Sequence, residues 1–289
     1  MRASSTPLSV KANLLPPSPK ARKSLIITFL SDFGLEDEWI AVCKGVIKGI
    51  APAAEVIDIS HQIESFNLKK GALVLATALP YMPQGIHLAV VDPGVGTKRE
   101  GLIIKAERGD YLVGPDNGLL IPAAGRLGGI QKAFHITEKK YMLKPVSLTF
   151  QARDIFAPVA AYLARGLKPQ EFGPEIQKKD LTLSPWNEPE VFTQKIVGEV
   201  IDIDKFGTVR SNISPDHLKR VNISLGDSVK LILKNSELSL PFLETFGRVK
   251  PGKPLFLTDS SGYLCVAVNQ GSAEEEFDIG VGDRLTILK

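Results

Sequence analysis

The stretch VVDPGVGTKR, residues 90–99, holds an acid, Asp92, and a base, Arg99, seven positions apart across a turn with two glycines and a proline. Three chemistries are open to such a stretch: a phosphate cradle, a tight turn, or a loop that presents its own acid and base. A phosphate loop needs GxxxxGK followed by Ser or Thr, between a strand and a helix. Gly94-Val95-Gly96-Thr97-Lys98 fails that spacing. A dinucleotide fingerprint needs a third glycine opening a helix, and here the following LIIKA reads as a strand. Phosphate binding is therefore not supported. What remains is a carboxylate at the end of a strand and a guanidinium able to fold back on it. Such a pair stays ionised and can orient a water or hold a cation. On these residues alone, a salt bridge closing the loop is the favoured reading.

Four other stretches carry similar potential. Ser31-Asp32-Phe33-Gly34 follows a strand, and an aspartate there can accept two hydrogen bonds from paired ribose hydroxyls. The plainer reading is an acid at a helix N-terminus. Thr149-Phe150-Gln151-Ala152-Arg153-Asp154 reads as a helix entry with an Arg-Asp pair. Asp204-Lys205-Phe206-Gly207-Thr208 and Asp259-Ser260-Ser261-Gly262-Tyr263 read most simply as β-turns. Phe66 is more often core than ligand platform. No GxSxG elbow accompanies any serine. The four histidines show neither HxH nor HExxH spacing, so a zinc site on them is not expected.

These residues need a frame. LIITFL (25–30), EVIDIS (55–60) and IHLAVV (86–91) read as buried strands. Between them lie a helical pattern from Trp39 to Ile50 and a second helix capped by Asn67. Strand, helix, strand, helix, strand within about 70 residues predicts a parallel α/β sheet. LIIKA, YLV and KAFHIT continue as strands, and 154–165 reads as a helix with Pro158 tolerated near its start. After about residue 180 the pattern changes. Short β runs separated by FGT, LGD, KPGK, SSG and VGD predict a small antiparallel barrel. The expected organisation is a tail (1–23), a mainly parallel-sheet α/β domain (24–180), a linker (181–190) and a C-terminal antiparallel β-barrel domain (191–289).

Composition narrows the class. No apolar run approaches the roughly 18 residues of a membrane helix. Formal charge is +3, yet residues 1–23 hold five bases and no acid, leaving −2 on the remainder. A nearly neutral body argues against nucleic-acid binding. Cys43 and Cys265 imply no disulfide framework, which fits a reducing, cytoplasmic compartment. The basic, Ser- and Pro-rich tail suits an organelle transit peptide, but a disordered tail or an overcalled start codon is the reading preferred here.

Taken in order, SDFG, DISH, VVDPGVGTKR, VGPDNG, KPVSLTFQARDIFAPVAA, EFGP, IDKFG and SSGYL resemble one family across about residues 25–289. It is the family of adenosine-forming S-adenosyl-L-methionine hydrolases, also called SAM hydroxide adenosyltransferases and related to fluorinase and chlorinase. The resemblance implies an α/β domain followed by a β-barrel. It also implies a homotrimer with active sites between the N domain of one subunit and the C domain of the next. The substrate would be S-adenosyl-L-methionine and the products adenosine and L-methionine, with no metal or organic cofactor. By resemblance, Asp32 holds the ribose hydroxyls and Phe66 lies against the nucleoside. Asp92 and Arg99 belong to an Asp-Arg-His set that positions and activates water. Asp204 and Ser260 hold the methionine end, and Phe206 and Asn269 lie near adenine. Halogenating relatives replace the aspartate of that set, so Asp92 points to the hydrolase branch.

The chain departs from this pattern in three places. The family's TFHGRD is TFQARD here, putting Gln151 where the histidine stands and Ala152 where glycine stands. Thr208 replaces the asparagine usual after FG. Glutamine donates and accepts hydrogen bonds but does not titrate, so it can orient a water without taking its proton. The expected activity is hydrolysis with Asp92, Arg99 and Gln151 as the catalytic set. The alternatives are a non-catalytic binder of S-adenosylmethionine or adenosine, and a halide-using transferase of the same fold.

Overall fold

The computed structural model describes residues 26–234 and 236–289. The reading of residues 1–23 lies outside them. Two compact units divide between Pro185 and Trp186.

The N-terminal unit is built on one seven-stranded sheet. It opens with β1 (Ile26–Ser31), α1 (Trp39–Ile50), β2 (Glu55–Ser60), α2 (Leu68–Ala78) and β3 (Ile86–Val90). There follow β4 (Gly101–Ala106), β5 (Tyr111–Pro115), α3 (Ile121–Arg126), β6 (Ile130–His135), α4 (Ala157–Ala164) and β7 (Glu175–Ile176). The strand order is β2-β1-β3-β5-β4-β6-β7. The half from β2 to β5 is parallel and the remainder antiparallel.

Burial follows the sequence pattern. Every residue of β1 and β3 is buried, because both strands are central and covered on two faces. Ile40, Cys43 and Ile47 form the inner stripe of α1, at helical spacing. That stripe and α4 pack with Ile27, Phe29, Leu88 and Val90 in one apolar cluster. The side chain of Asn67 accepts from the Lys70 amide, as a capping residue should.

Pro158 has a wider effect than its tolerance near a helix start suggests. Residues Ala152–Phe156 form a π-helical turn ahead of α4. Proline has no N–H to donate to the Asp154 carbonyl. The Leu143 amide donates to that carbonyl instead, at 2.9 Å. A loop distant from the helix thus satisfies the acceptor that proline orphans, and the helix entry keeps its widened turn.

The second unit is a barrel. Its strands are β8 (Glu190–Val191), β9 (Lys195–Ile203), β10 (Val209–Ser211), β11 (Ser228–Leu233), β12 (Ser236–Leu243), β13 (Pro254–Thr258), β14 (Leu264–Val268) and β15 (Arg284–Leu288), with short helices α5 (Pro215–Arg220) and α6 (Ala273–Phe277). The order β10-β14-β13-β12-β11-β15-β9 closes on itself through a β9–β10 pairing. One long strand makes the closure. Residues 195–199 of β9 pair with β15, and residues 200–203 pair with β10. Alternate residues fill the interior, among them Ile196 and Val200, Val229, Leu231 and Leu233, and Leu285 and Ile287. One barrel pair, β12–β13, is parallel. The segment between them crosses over rather than turning back. Among the described residues, no helix is long and apolar enough to cross a membrane.

The mixed sheet of the N-terminal unit also holds a buried polar chain. Thr28 Oγ1 lies 2.9 Å from His87 Nδ1, and His87 Nε2 lies 2.9 Å from Asp110 Oδ1. Arg108 Nε donates to Asp110 Oδ2 at 2.7 Å, and the Gly85 amide donates to Oδ1 at 3.1 Å. Burial pushes the His87 imidazole below its ordinary value. Burial would raise Asp110, but hydrogen bonds from His87 and Arg108 hold its carboxyl well below the usual range. Both depressed values act with the same sign. Their stabilisation is complete above the unfolded values, 6.5 and 3.8, and is lost as pH falls. The melting temperature of this unit is therefore expected to start falling below pH 6.5. Asp110→Ala, which removes the acceptor of four donors on three residues, is expected to cost about 3 kcal/mol in chemical denaturation. A cost near zero would show that the chain contributes nothing to stability.

Candidate active site

The C-terminal ends of parallel strands face the crevice of an open α/β sheet, and two acids sit there. Asp32 follows β1 directly, and Asp92 follows β3 after Val91. Both line a cavity of about 290 Å³, together with Phe66, Gln151 and a set of aromatic side chains.

Asp92 and Arg99 meet as their spacing allows. Arg99 Nη2 donates to Asp92 Oδ2 at 2.5 Å and to Gln151 Oε1 at 2.6 Å. The Arg99 guanidinium also lies 5.4 Å from the centroid of the Phe156 ring. The π-helical turn and the residue before it thus supply both the amide and the ring that hold this cation. The glycines of the loop serve this approach. Gly96 has a φ of +78°, and a Cβ there would lie 2.7 Å from the Leu148 carbonyl oxygen. Only glycine lets residues 92–99 pack this close to the segment leading into Gln151. Asn117 Nδ2 donates to the Val91 carbonyl at 2.9 Å and fixes the end of β3.

Two polar atoms in this cluster are buried without a partner: Asp92 Oδ1 and Arg99 Nε. Buried polar groups are normally paired, so a buried acceptor with no donor calls for a bound group. Burial pushes the Asp92 carboxyl up, against the pull of Arg99 and of the nearby Gly94 amide, and the net value stands above the ordinary one; among the described residues that amide makes no hydrogen bond of full geometry to Oδ1. A carboxylate so raised is a stronger base than an exposed aspartate. Because Arg99 can only donate, the oxygen of the Gln151 amide faces it. The amide nitrogen is then the end free to donate elsewhere.

Asp32 and Phe66 form a second pair. The Phe66 amide donates to Asp32 Oδ2 at 2.9 Å. Asp32 Oδ1 has no hydrogen bond among the described residues. Phe66 adopts a left-handed backbone (φ 66°) while its side chain is 70% exposed. A bulky residue in this region is strained, and an exposed ring gains nothing from core burial in return. Behind it, Phe33 meets Trp39 and Phe150 edge-on, each with centroids 6.0 Å apart. The sequence reading placed Trp39 only on the face of a helix and did not single out Phe33 or Phe150. Phe33 and Trp39 lie six residues apart across the loop into α1, but Phe150, before the π-helical turn, is more than a hundred residues away, so no local spacing joins all three.

In the barrel unit, Asp204 holds its own turn. Its Oδ1 accepts from the Phe206 and Thr208 amides at 2.9 and 3.0 Å. Phe206 is exposed, with Lys205 Nζ over its ring at 4.9 Å. Asn269 Nδ2 donates to the Val249 carbonyl at 2.8 Å. Gly207 abuts Ser272, bringing the Asp204 turn against the segment that follows Asn269. Ser260 lies exposed in the β13–β14 turn. Arg210, absent from the sequence reading, lies between the two turns.

A two-domain protein with an acid-lined crevice on a parallel sheet and a closed seven-stranded barrel is the class these features define. The chain belongs to the SAM hydroxide adenosyltransferase family, whose N-terminal domain matches residues 27–173 and whose C-terminal domain matches residues 198–286. It is similar to the (R)-S-adenosyl-L-methionine hydrolase of Salinispora tropica, at 40% identity over 90% of this chain and 97% of that one. The enzyme of the same name from Thermus thermophilus is 37% identical over 91% of this chain and 99% of that one. A fluorinase from Actinoplanes sp. is 25% identical over 91% and 97%. A crystal structure of an uncharacterized conserved protein from Thermotoga maritima superposes with a TM-score of 0.82. That protein is 37% identical, and the match covers 91% of this chain and all of that one.

The strained Phe66 gives a test of what its ring is for. Phe66→Gly relieves the left-handed backbone and removes the exposed ring. The variant is expected to be as stable as the parent or up to about 1 kcal/mol more so, while its affinity for a nucleoside ligand falls. Calorimetric melting beside ligand titration checks both. Unchanged affinity would show that the ring is no platform.

Proposed function

We propose that this protein hydrolyses S-adenosyl-L-methionine to adenosine and L-methionine. The observation that carries the reading is the unpartnered Asp92 Oδ1, buried in the cleft beside an Arg99–Gln151 pair. The hydrolase relatives at 37–40% identity support it.

In this reading a water sits between Asp92 Oδ1, which accepts one of its protons, and the Gln151 amide, which donates to its lone pair. The water oxygen attacks ribose C5′ in line with the C5′–S bond. The C–O bond forms as the C–S bond breaks, and the electron pair returns to sulfur. The sulfonium thereby becomes a neutral thioether, so the leaving group needs no general acid. The water proton passes to Asp92. Gln151 cannot take it, which leaves Asp92 as the sole base. Arg99 holds the carboxylate in place and limits how far burial raises its pKa. Asp32 accepts from the ribose hydroxyls, and Phe66 covers the nucleoside. No cofactor enters this reaction.

The cavity is at the small end of ligand pockets, which span about 300–1,000 Å³. Its rim carries the exposed apolar residues Trp39, Phe66 and Val95. An exposed apolar rim marks a surface that another chain covers. We therefore read the protein as a homotrimer, as the resemblance implies. Asp204, Phe206, Ser260 and Asn269 would come from a neighbouring copy, the first and third at the methionine end and the others near adenine. Both cysteines are buried free thiols, which suits a cytoplasmic setting.

The test is incubation with S-adenosylmethionine, with and without chloride, followed by separation of the nucleosides. Adenosine and methionine in equal amounts are expected. A chloride-dependent 5′-chloro nucleoside, or no product at all, would overturn hydrolysis. Asp92→Asn is expected to lower turnover by about 10²–10⁴-fold while binding persists. The sign of the pH dependence follows from Asp92. The active form is deprotonated, so kcat/KM should rise with pH through a single acid limb above the ordinary 3.8 and then stay flat. A second limb near 6.5 would point to a histidine base instead.

A further inference from the structure

Arg210 is the least explained charged residue of the barrel. It stands opposite Asp202 in the β9–β10 ladder, and its Nη1 donates to Asp202 Oδ2 at 2.8 Å. Its Nε reaches the other way, to Asp259 Oδ2 at 2.6 Å. All three side chains are largely buried. The two carboxylates belong to different turns. Asp202 lies two residues before Asp204. Asp259 adjoins Ser260 and holds the β13–β14 turn by accepting from the Ser261 and Tyr263 amides at 2.8 and 3.0 Å. On top of the β9–β10 and β10–β14 ladders, one rigid guanidinium therefore ties the turn that bears Asp204 to the turn that bears Ser260. A lysine cannot reproduce this, because a point charge lacks the fork that reaches two carboxylates in fixed directions.

We propose that Arg210 is a positioning residue for the amino-acid end of the ligand, holding Asp204 and Ser260 at the separation needed to take an ammonium and a carboxylate together. The inference rests on the function proposed above, which assigns those two residues to the methionine end. Asp204 spends one carboxylate oxygen on its own turn and has the other for an ammonium. Ser260 presents a hydroxyl and backbone on an exposed turn. Neither residue touches Arg210, so its effect passes through Asp202 and Asp259.

The experiment compares the full-length parent with Arg210→Gln and Arg210→Lys. Calorimetry gives L-methionine and adenosine binding, and steady-state kinetics give KM and kcat. Arg210→Gln is expected to weaken L-methionine binding and raise KM by about tenfold, with kcat changed by less than about twofold; adenosine binding, which draws on Phe206 of the same turn but not on Ser260, should fall by no more than about threefold. Arg210→Lys should lose less of both, about threefold, since it keeps one ion pair. It also serves as the second variant if the glutamine form does not fold. Equal loss of methionine and adenosine binding would mean general loosening of the barrel and would overturn the proposal, as would unchanged methionine binding. The binding arm is independent of turnover. A parent protein that makes no adenosine refutes hydrolysis, while a methionine-selective loss still upholds the clamp.

Discussion

Arg99 is one cation shared by two parts of the fold that the apolar core and the Gly96 turn already bring together. Asp92 ends a strand, and Gln151 begins a helical turn 59 residues later in the chain. The guanidinium binds both through a single nitrogen and rests near the Phe156 ring. Much of the N-terminal unit can be read as what this junction requires. Gly96 brings the loop close, Asn117 fixes the strand end, and the proline-dependent π turn presents the amide. A cation of this kind is costly to bury unless it is paired and hydrogen-bonded. The same pairing orients the carboxylate that faces the cleft.

The replacement of the family's histidine by glutamine takes on a definite meaning in this geometry. Gln151 contacts the cation and does not titrate. In the proposed reaction, acid–base work falls on one carboxylate, which burial has shifted upward. Position 151 can change the chemistry of the seat because the surrounding frame, not that residue, holds the loop and strand together.

Most elements of the fold were legible because their signals are local. The period of α1, the alternation along the barrel strands and the Asn67 cap each lie within a dozen residues. The features that escaped are those whose partners lie outside any regular spacing, whether in a nearby loop or far along the chain. Pro158 marks a helix start by its position, but the π turn depends on the Leu143 amide. Arg210 looks like any polar residue on a short strand until Asp259 is seen beside it. The Phe33, Trp39 and Phe150 cluster spans the loop into α1 and a residue more than a hundred positions on. Phe66 was legible through the resemblance, yet nothing in its type announces a left-handed backbone. The site residues of the barrel were named by family likeness alone, since a β-turn and a ligand-binding turn share the same spelling.

The double pairing of β9 has a consequence for the order of events during synthesis. The first strand to close the barrel must wait for one of the last, because residues 195–199 pair with β15 at residues 284–288. The sheet of the N-terminal unit has all its strands by residue 176 and can consolidate while the barrel is still being made. Until β15 emerges, β9 and β11 each present an open edge to whatever strand is nearby. A growing chain therefore carries this aggregation risk until β15 emerges, and Arg284–Leu288 are the residues that end it.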